Sequence, residues 1–148
     1  MPLFYVDSSA VVKLVIDEPE SQALRSFIQG ADLVSCELIL TEVPRAIRRA
    51  TARDERLPQG LLMSRASQTI ENLGLASLDR GVLLAAGALA EPMLRALDAI
   101  HVAAASELSP IDAFVTYDER QAAAARLAGL RTMSPRAESS GRGCPGGR

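Results

Sequence analysis

What this chain lacks narrows its function before any motif is considered. It has two cysteines, Cys36 and Cys144, and a single histidine, His101. Two thiols so far apart form neither a disulfide framework nor a tetrahedral zinc site, so both are read as free thiols without a chemical role. Long apolar runs are missing as well. The longest, from Gly81 to Ala90, is too short to span a bilayer and ends at Glu91-Pro92. The N-terminal MPLFYVD has neither the basic region nor the small-residue cleavage site of a secretory signal, and a cytoplasmic location is expected. Excess positive charge is also absent. Sixteen Lys and Arg against eighteen Asp and Glu leave a formal net charge of -2, which argues against wrapping nucleic acid through a global field and leaves room only for a local basic patch. Lys13 is the only lysine. An arginine-dominated basic set suits phosphate recognition, although GC-rich coding gives the same bias. There is no internal repeat.

What is present is a regular alternation of short apolar runs with helical patterns. The 148 residues fit one domain that buries roughly two thirds of its unfolded surface. Leu3 to Val6 reads as a buried strand before a helix capped at Asp-Ser-Ser. Glu18-Pro19-Glu20 opens a second helix that stops at Gly30. Strands follow at Asp32 to Cys36, Leu75 to Leu78, Ala113 to Thr116 and Leu130 to Met133. Helices fill the intervals from Glu37 to Asp54, Pro58 to Asn72, Asp79 to Leu89, Leu97 to Leu108 and Glu119 to Ala128. Strands alternating with helices imply a parallel sheet covered on both faces, with ligands bound outside the carboxyl ends of its strands. The domain is expected over residues 1–135. The Gly- and Ser-rich residues 136–148 lack apolar periodicity and are expected to be a disordered tail.

Four acids stand where apolar runs meet helix starts: Asp7 in FYVDSSA, Glu42 in LILTEVPRA, Asp98 in LRALDAIHVAAA and Asp118 in AFVTYDER. Each has an ordinary explanation. Asp7 and Asp118 can cap the helices they precede, Asp98 in a first turn favours the helix dipole, and Glu42 can belong to a solvated face. His101, amid Ile100, Val102 and Ala103, reads as a packed core histidine three residues beyond Asp98. Together the acids ask for more. Carboxylates gathered from distant segments repel one another unless a cation holds them. Ser8 or Ser9, and Thr116, could support such a site. Arg45 and Arg49 follow Glu42 at i+3 and i+7 on one helix face, where they could contact phosphates or belong to a solvated face or an interface.

With YVDSSA, LTEVPRA, LRALDAIHVAAA and FVTYDER in this order between Leu3 and Met133, the chain resembles PIN-domain nucleases, in particular the VapC-type toxins of type II toxin-antitoxin systems. The resemblance implies a three-layer α/β/α sandwich around a short parallel sheet. It also implies metal-dependent hydrolysis of RNA, with Asp7, Glu42, Asp98 and Asp118 binding Mg2+, or Mn2+ in its place. The supporting hydroxyls fall on Ser8 and Thr116. A cognate antitoxin and a homodimer are expected, the antitoxin's apolar residues lying along Val12, Val15 and Ile16. The glycine-rich tail has no counterpart in the family. Oxygen-only ligands suit these ions, and hydrolysis would leave a 5′-phosphate and a 3′-hydroxyl.

Other readings fare less well. A haloacid-dehalogenase-like phosphotransferase needs a second acid two residues after the first, where this chain has Ser9. A receiver domain needs a lysine that Lys13, in the wrong segment, does not supply. A PIN fold serving only as a protein-interaction module is the remaining alternative.

Overall fold

A computed structural model describes residues 1–138. The elements run β1 (Leu3–Val6), α1 (Ser8–Val15), α2 (Ser21–Ile28), β2 (Asp32–Cys36), α3 (Ile39–Arg53), α4 (Gln59–Glu71), β3 (Gly74–Ala76), α5 (Arg80–Gly87), α6 (Ala96–Glu107), β4 (Ala113–Val115), α7 (Glu119–Leu127) and β5 (Thr132–Met133). All five strands are parallel, in the order β3-β2-β1-β4-β5. The chain therefore winds outward from β1 to β3, then crosses back to lay β4 on the other side of β1. Between β1 and β4 the winding reverses, and in open α/β sheets that reversal is where ligands bind.

Strand alternation decides which residues meet which layer. Phe4 and Val6 of β1, with Ala113 and Val115 of β4, face a core filled from α1 to α4 by Val11, Val15, Leu24, Ile39, Val43, Ile47 and Leu62. Tyr5 and Phe114 point the other way, toward Val82, Ala86, Val102 and the buried alanines of α6 and α7. Thus the first half of the chain supplies one helical layer and the second half the other. Alanine at 103, 104 and 105 lets α6 approach the sheet closely. At the end of α7, Gly129 takes φ 85 and the Leu130 amide donates to the Ala125 carbonyl at 3.0 Å. This left-handed closure uses up Leu130, so β5 begins only at Thr132.

Most elements lie where the sequence places them, with ends moved by one or two residues. Thr116 falls just past β4, and β3 starts at Gly74 rather than Leu75. The expected antitoxin groove changes more, because Val15 and Ile16 are core residues and only Val12 reaches the surface cleft. Near the C-terminus Tyr117 donates its hydroxyl to the Pro135 carbonyl at 2.7 Å, and Arg136 lies 3.5 Å from Glu20. Residues 139–148, with Cys144 and most of the expected tail, lie outside the described residues.

Ala104 is fully buried. Ala104→Leu is expected to overpack the contact between α6 and the sheet and cost about 1–3 kcal/mol, measured as a lowered midpoint of urea unfolding.

Candidate active site

All four acids reach the carboxyl edge of the sheet, each from a different element. Asp7 follows β1 and caps α1: its Oδ1 accepts from the Ala10 amide at 2.9 Å and from the Ser9 hydroxyl at 2.7 Å. Its Oδ2 lies 2.5 Å from Thr116 Oγ1. Asp118 follows β4 and caps α7 through the Gln121 amide at 3.0 Å. Asp98 sits in the first turn of α6, and Glu42 in the first turn of α3. Capping therefore leaves a second oxygen on each of Asp7 and Asp118: Asp7 Oδ2 meets Thr116, and Asp118 Oδ2 lies 3.9 Å from Arg95 Nη2.

Asp7 is 2% exposed. Burial pushes its carboxyl above the usual range, although nearby His101 and the bonds from Thr116, Ser9 and the Ala10 amide pull it back. Burial also raises Asp98; Asp118 and Glu42 raise it further, while Arg95 and His101 oppose them. The coupling of Asp98 to both Asp118 and Glu42 places three acids in one electrostatic neighbourhood. Arg95 spans the outer pair, with Nε 3.6 Å from Asp98 Oδ2 and Nη2 3.9 Å from Asp118 Oδ2. Its side chain is 74% exposed, so these contacts are weak and easily released.

Two residues prove more engaged than their sequence context suggests. His101 is buried, as a core histidine should be, yet its Nε2 lies 2.6 Å from Glu42 Oε1 and its Nδ1 2.8 Å from the Tyr5 hydroxyl. A carboxylate only accepts, so the Nε2 proton is donated to Glu42. Burial alone would pull the imidazole pKa down. Hydrogen bonds to Cys36 and Glu42 outweigh it and push the value up to about 10. Gln121, also buried, accepts from the Thr116 hydroxyl at 3.0 Å and donates to the Asp98 carbonyl at 3.3 Å. The i+3 spacing from Asp98 was the only sequence signal for His101, and Gln121 carried none. Of the two candidate serines, it is Ser9 that bonds Asp7; Ser8 only lines the cleft.

That cleft, of about 520 Å³, is lined by Ser8, Val12, Glu42, Arg45, Arg49 and Tyr117 among others. Arg45 and Arg49 are exposed there and pair with no carboxylate among the described residues. Lys13 also borders it but is drawn to Glu18 and Glu20 at 2.6 and 3.0 Å. Among the described residues, no three carboxylate, imidazole or thiol groups stand close enough for one ion to touch them all without side-chain movement. Each acid is instead met by a local donor. The donor set still fits a hard divalent cation: all oxygen, strongly negative, and partly desolvated. Glu42 Oε2 has no hydrogen-bond partner among the described residues, and Asp98 is held only by an exposed guanidinium.

A parallel α/β/α sandwich whose acids converge where the winding reverses defines a class of doubly wound proteins with a carboxylate site at the switch point. The PIN domain model matches residues 4–127, and the chain belongs to the PIN-domain family. It is similar to two Mycobacterium tuberculosis proteins. It is 38% identical over 138 residues to Ribonuclease VapC46, covering 91% of this chain and 99% of that one. With Ribonuclease VapC47 it shares 34% identity over 139 residues, covering 90% and 97%. Among solved structures, VapBC2 from Rickettsia felis, bound to a DNA fragment from their promoter, has a chain of the same fold. That chain aligns at a TM-score of 0.65 and 9% identity, over 88% of this chain and 97% of that one. A Pyrobaculum aerophilum protein aligns at a TM-score of 0.61 and 19% identity, covering 88% and 90%.

A carboxyl raised in the folded state ionises more readily in the unfolded one, so the penalty to the metal-free fold grows as the pH rises through the ordinary carboxyl value and is complete once it passes the raised one. Asp98→Asn is therefore expected to raise the melting temperature of the metal-free protein at pH 7. The gain should disappear below about pH 4, where Asp98 is protonated in both states. A lowered melting temperature at pH 7 would contradict the electrostatics described above.

Proposed function

We propose that this chain is the toxin of a toxin-antitoxin pair, a metal-dependent endoribonuclease of the cytoplasm whose site is Asp7, Glu42, Asp98 and Asp118. The observation that carries this reading is the meeting of four acids from both helical layers at the switch-point edge of the sheet, with Asp98 raised by burial and further by Asp118 and Glu42. Similarity to proteins named ribonuclease VapC supports RNA as the substrate. Mg2+, or Mn2+ in its place, would supply an activated water and neutralise charge building on the phosphate.

The chain's own residues divide the remaining work. Thr116, Ser9 and the Ala10 amide fix Asp7, and the Gln121 amide fixes Asp118. Arg45 and Arg49 line the approach from the Glu42 side, where their unpaired guanidinium groups suit backbone phosphates. The VapBC2 assembly supports a protein partner. Asp98 and Asp118 already accept a guanidinium from Arg95, so a partner's arginine inserted here would find matching charge. Exposed Leu84, Met93 and Leu127, on and beside the helical layer away from α1 to α4, suit the expected homodimer.

RNA cleavage measured with Mn2+ added or chelated tests the assignment. Asp98→Asn is expected to lower the cleavage rate on the order of 100-fold or more, because a metal-held transition state loses several kcal/mol of stabilisation. Cleavage that persists in chelator, or in Asp98→Asn at the wild-type rate, would leave only the interaction-module alternative or a contaminant. Replacing Arg45 and Arg49 together by alanine is expected to weaken RNA binding without changing the sequence cut. The slope of log affinity against log salt should fall by about 0.7 for each phosphate that is no longer neutralised. An unchanged slope would remove both arginines from substrate binding.

A further inference from the structure

Glu42 differs from the other three acids in how it reaches the site. Asp7 and Asp118 are anchored as helix caps beside adjacent strands, and Asp98 rides on the helix packed against those strands. Glu42 comes from α3, whose buried residues Ile39, Val43 and Ile47 all pack in the opposite layer. It must extend a side chain with three rotatable bonds over the edge of the sheet. Holding such a chain still costs rotamer freedom. Nothing in the packing of α3 does this.

The one polar contact that the described residues give its carboxylate is His101 Nε2 at 2.6 Å. The imidazole is itself immobile. Its Nδ1 is bonded to the Tyr5 hydroxyl, and the Tyr5 ring stacks on Phe114 with centroids 5.2 Å apart and planes 4° off parallel. Tyr5, Phe114 and His101 are all nearly inaccessible to solvent. A continuous buried chain thus runs from the two central strands through α6 to α3, and it ends on one oxygen of Glu42.

We propose that His101, oriented by Tyr5, is a positioning residue that holds Glu42 Oε1 and thereby presents Oε2 to the metal site. The proposal rests on the metal-dependent nuclease reading. It assigns His101 no contact with substrate and no proton to transfer. Its role is that of an outer partner orienting an inner ligand, an arrangement whose disruption typically weakens metal affinity 10–100-fold.

Because His101 is the only histidine, its imidazole can be observed alone. In metal-free protein labelled with 15N-histidine, the Nε2 proton is expected far downfield, as for a short bond to a carboxylate, and Glu42→Gln should move it upfield. Mn2+ affinity, measured by calorimetry on chains with matched melting curves, should drop about 10–100-fold in His101→Leu. His101→Gln, which can return a donor near the Nε2 position, should recover most of it. Adding His101→Leu to Glu42→Gln should cost nothing further, because a residue acting only through Glu42 has nothing left to position.

Additive effects in that double variant, an Nε2 signal indifferent to Glu42→Gln, or wild-type Mn2+ affinity in a folded His101→Leu would each overturn the positioning role while leaving the ribonuclease reading intact. Wild-type protein that neither binds Mn2+ nor cuts RNA would overturn both.

Discussion

Everything at the functional edge of this molecule answers to one constraint: carboxylates that repel one another and are partly removed from water must each be met by a donor. Burial raises Asp7, and burial with repulsion from Asp118 and Glu42 raises Asp98; the surroundings offset that cost. Asp7 takes a hydroxyl on each oxygen and a helix amide, Asp118 takes the amide it caps, Asp98 takes an exposed guanidinium, and Glu42 takes an imidazole. The donors differ in how firmly they hold. The caps and hydroxyls belong to the fold, while Arg95 is exposed and free to leave. An edge built this way offsets part of the cost of its own charge while keeping a negative potential.

The winding of the sheet is what brings these carboxylates together. Only a reversal between β1 and β4 puts Asp7 and Asp118 at neighbouring strand ends, with Thr116 close enough to bond Asp7 and to accept from the Asp118 amide at 3.1 Å. The helical layers then bring the other two acids from opposite sides. Family membership and site geometry therefore meet in the topology, before any single side chain is considered.

Much of this was legible in the sequence. The strand and helix order, the parallel sheet and the places of the four acids at strand ends and helix starts followed from apolar runs interrupted by capping residues, because those signals are local. Partners across the fold were not legible. The context of His101 is apolar in sequence, so it reads as a core residue. Its bond to Glu42 exists only because α3 and α6 meet over the edge of the sheet. Gln121 looks like any polar residue of a first helical turn until α7 turns it inward against Thr116. Ser9 replaced Ser8 beside Asp7 because helix geometry turned the third residue of the capping turn, not the second, toward the carboxylate. Val15 and Ile16 looked available for a partner because an apolar side chain does not announce which side of a helix the core will take.

The division of the chain between two layers has a consequence during synthesis. A nascent chain that has extended as far as α5 already contains Asp7, Glu42 and the whole of the first layer. It lacks Asp98 and Asp118, the imidazole that holds Glu42, and the β4 strand and Thr116 that complete the surroundings of Asp7. Since β1 waits at the centre of the sheet for a partner more than a hundred residues downstream, the site cannot assemble until most of the polypeptide has emerged. The acidic edge is in this way kept incomplete while the chain is still attached to the message that encodes it.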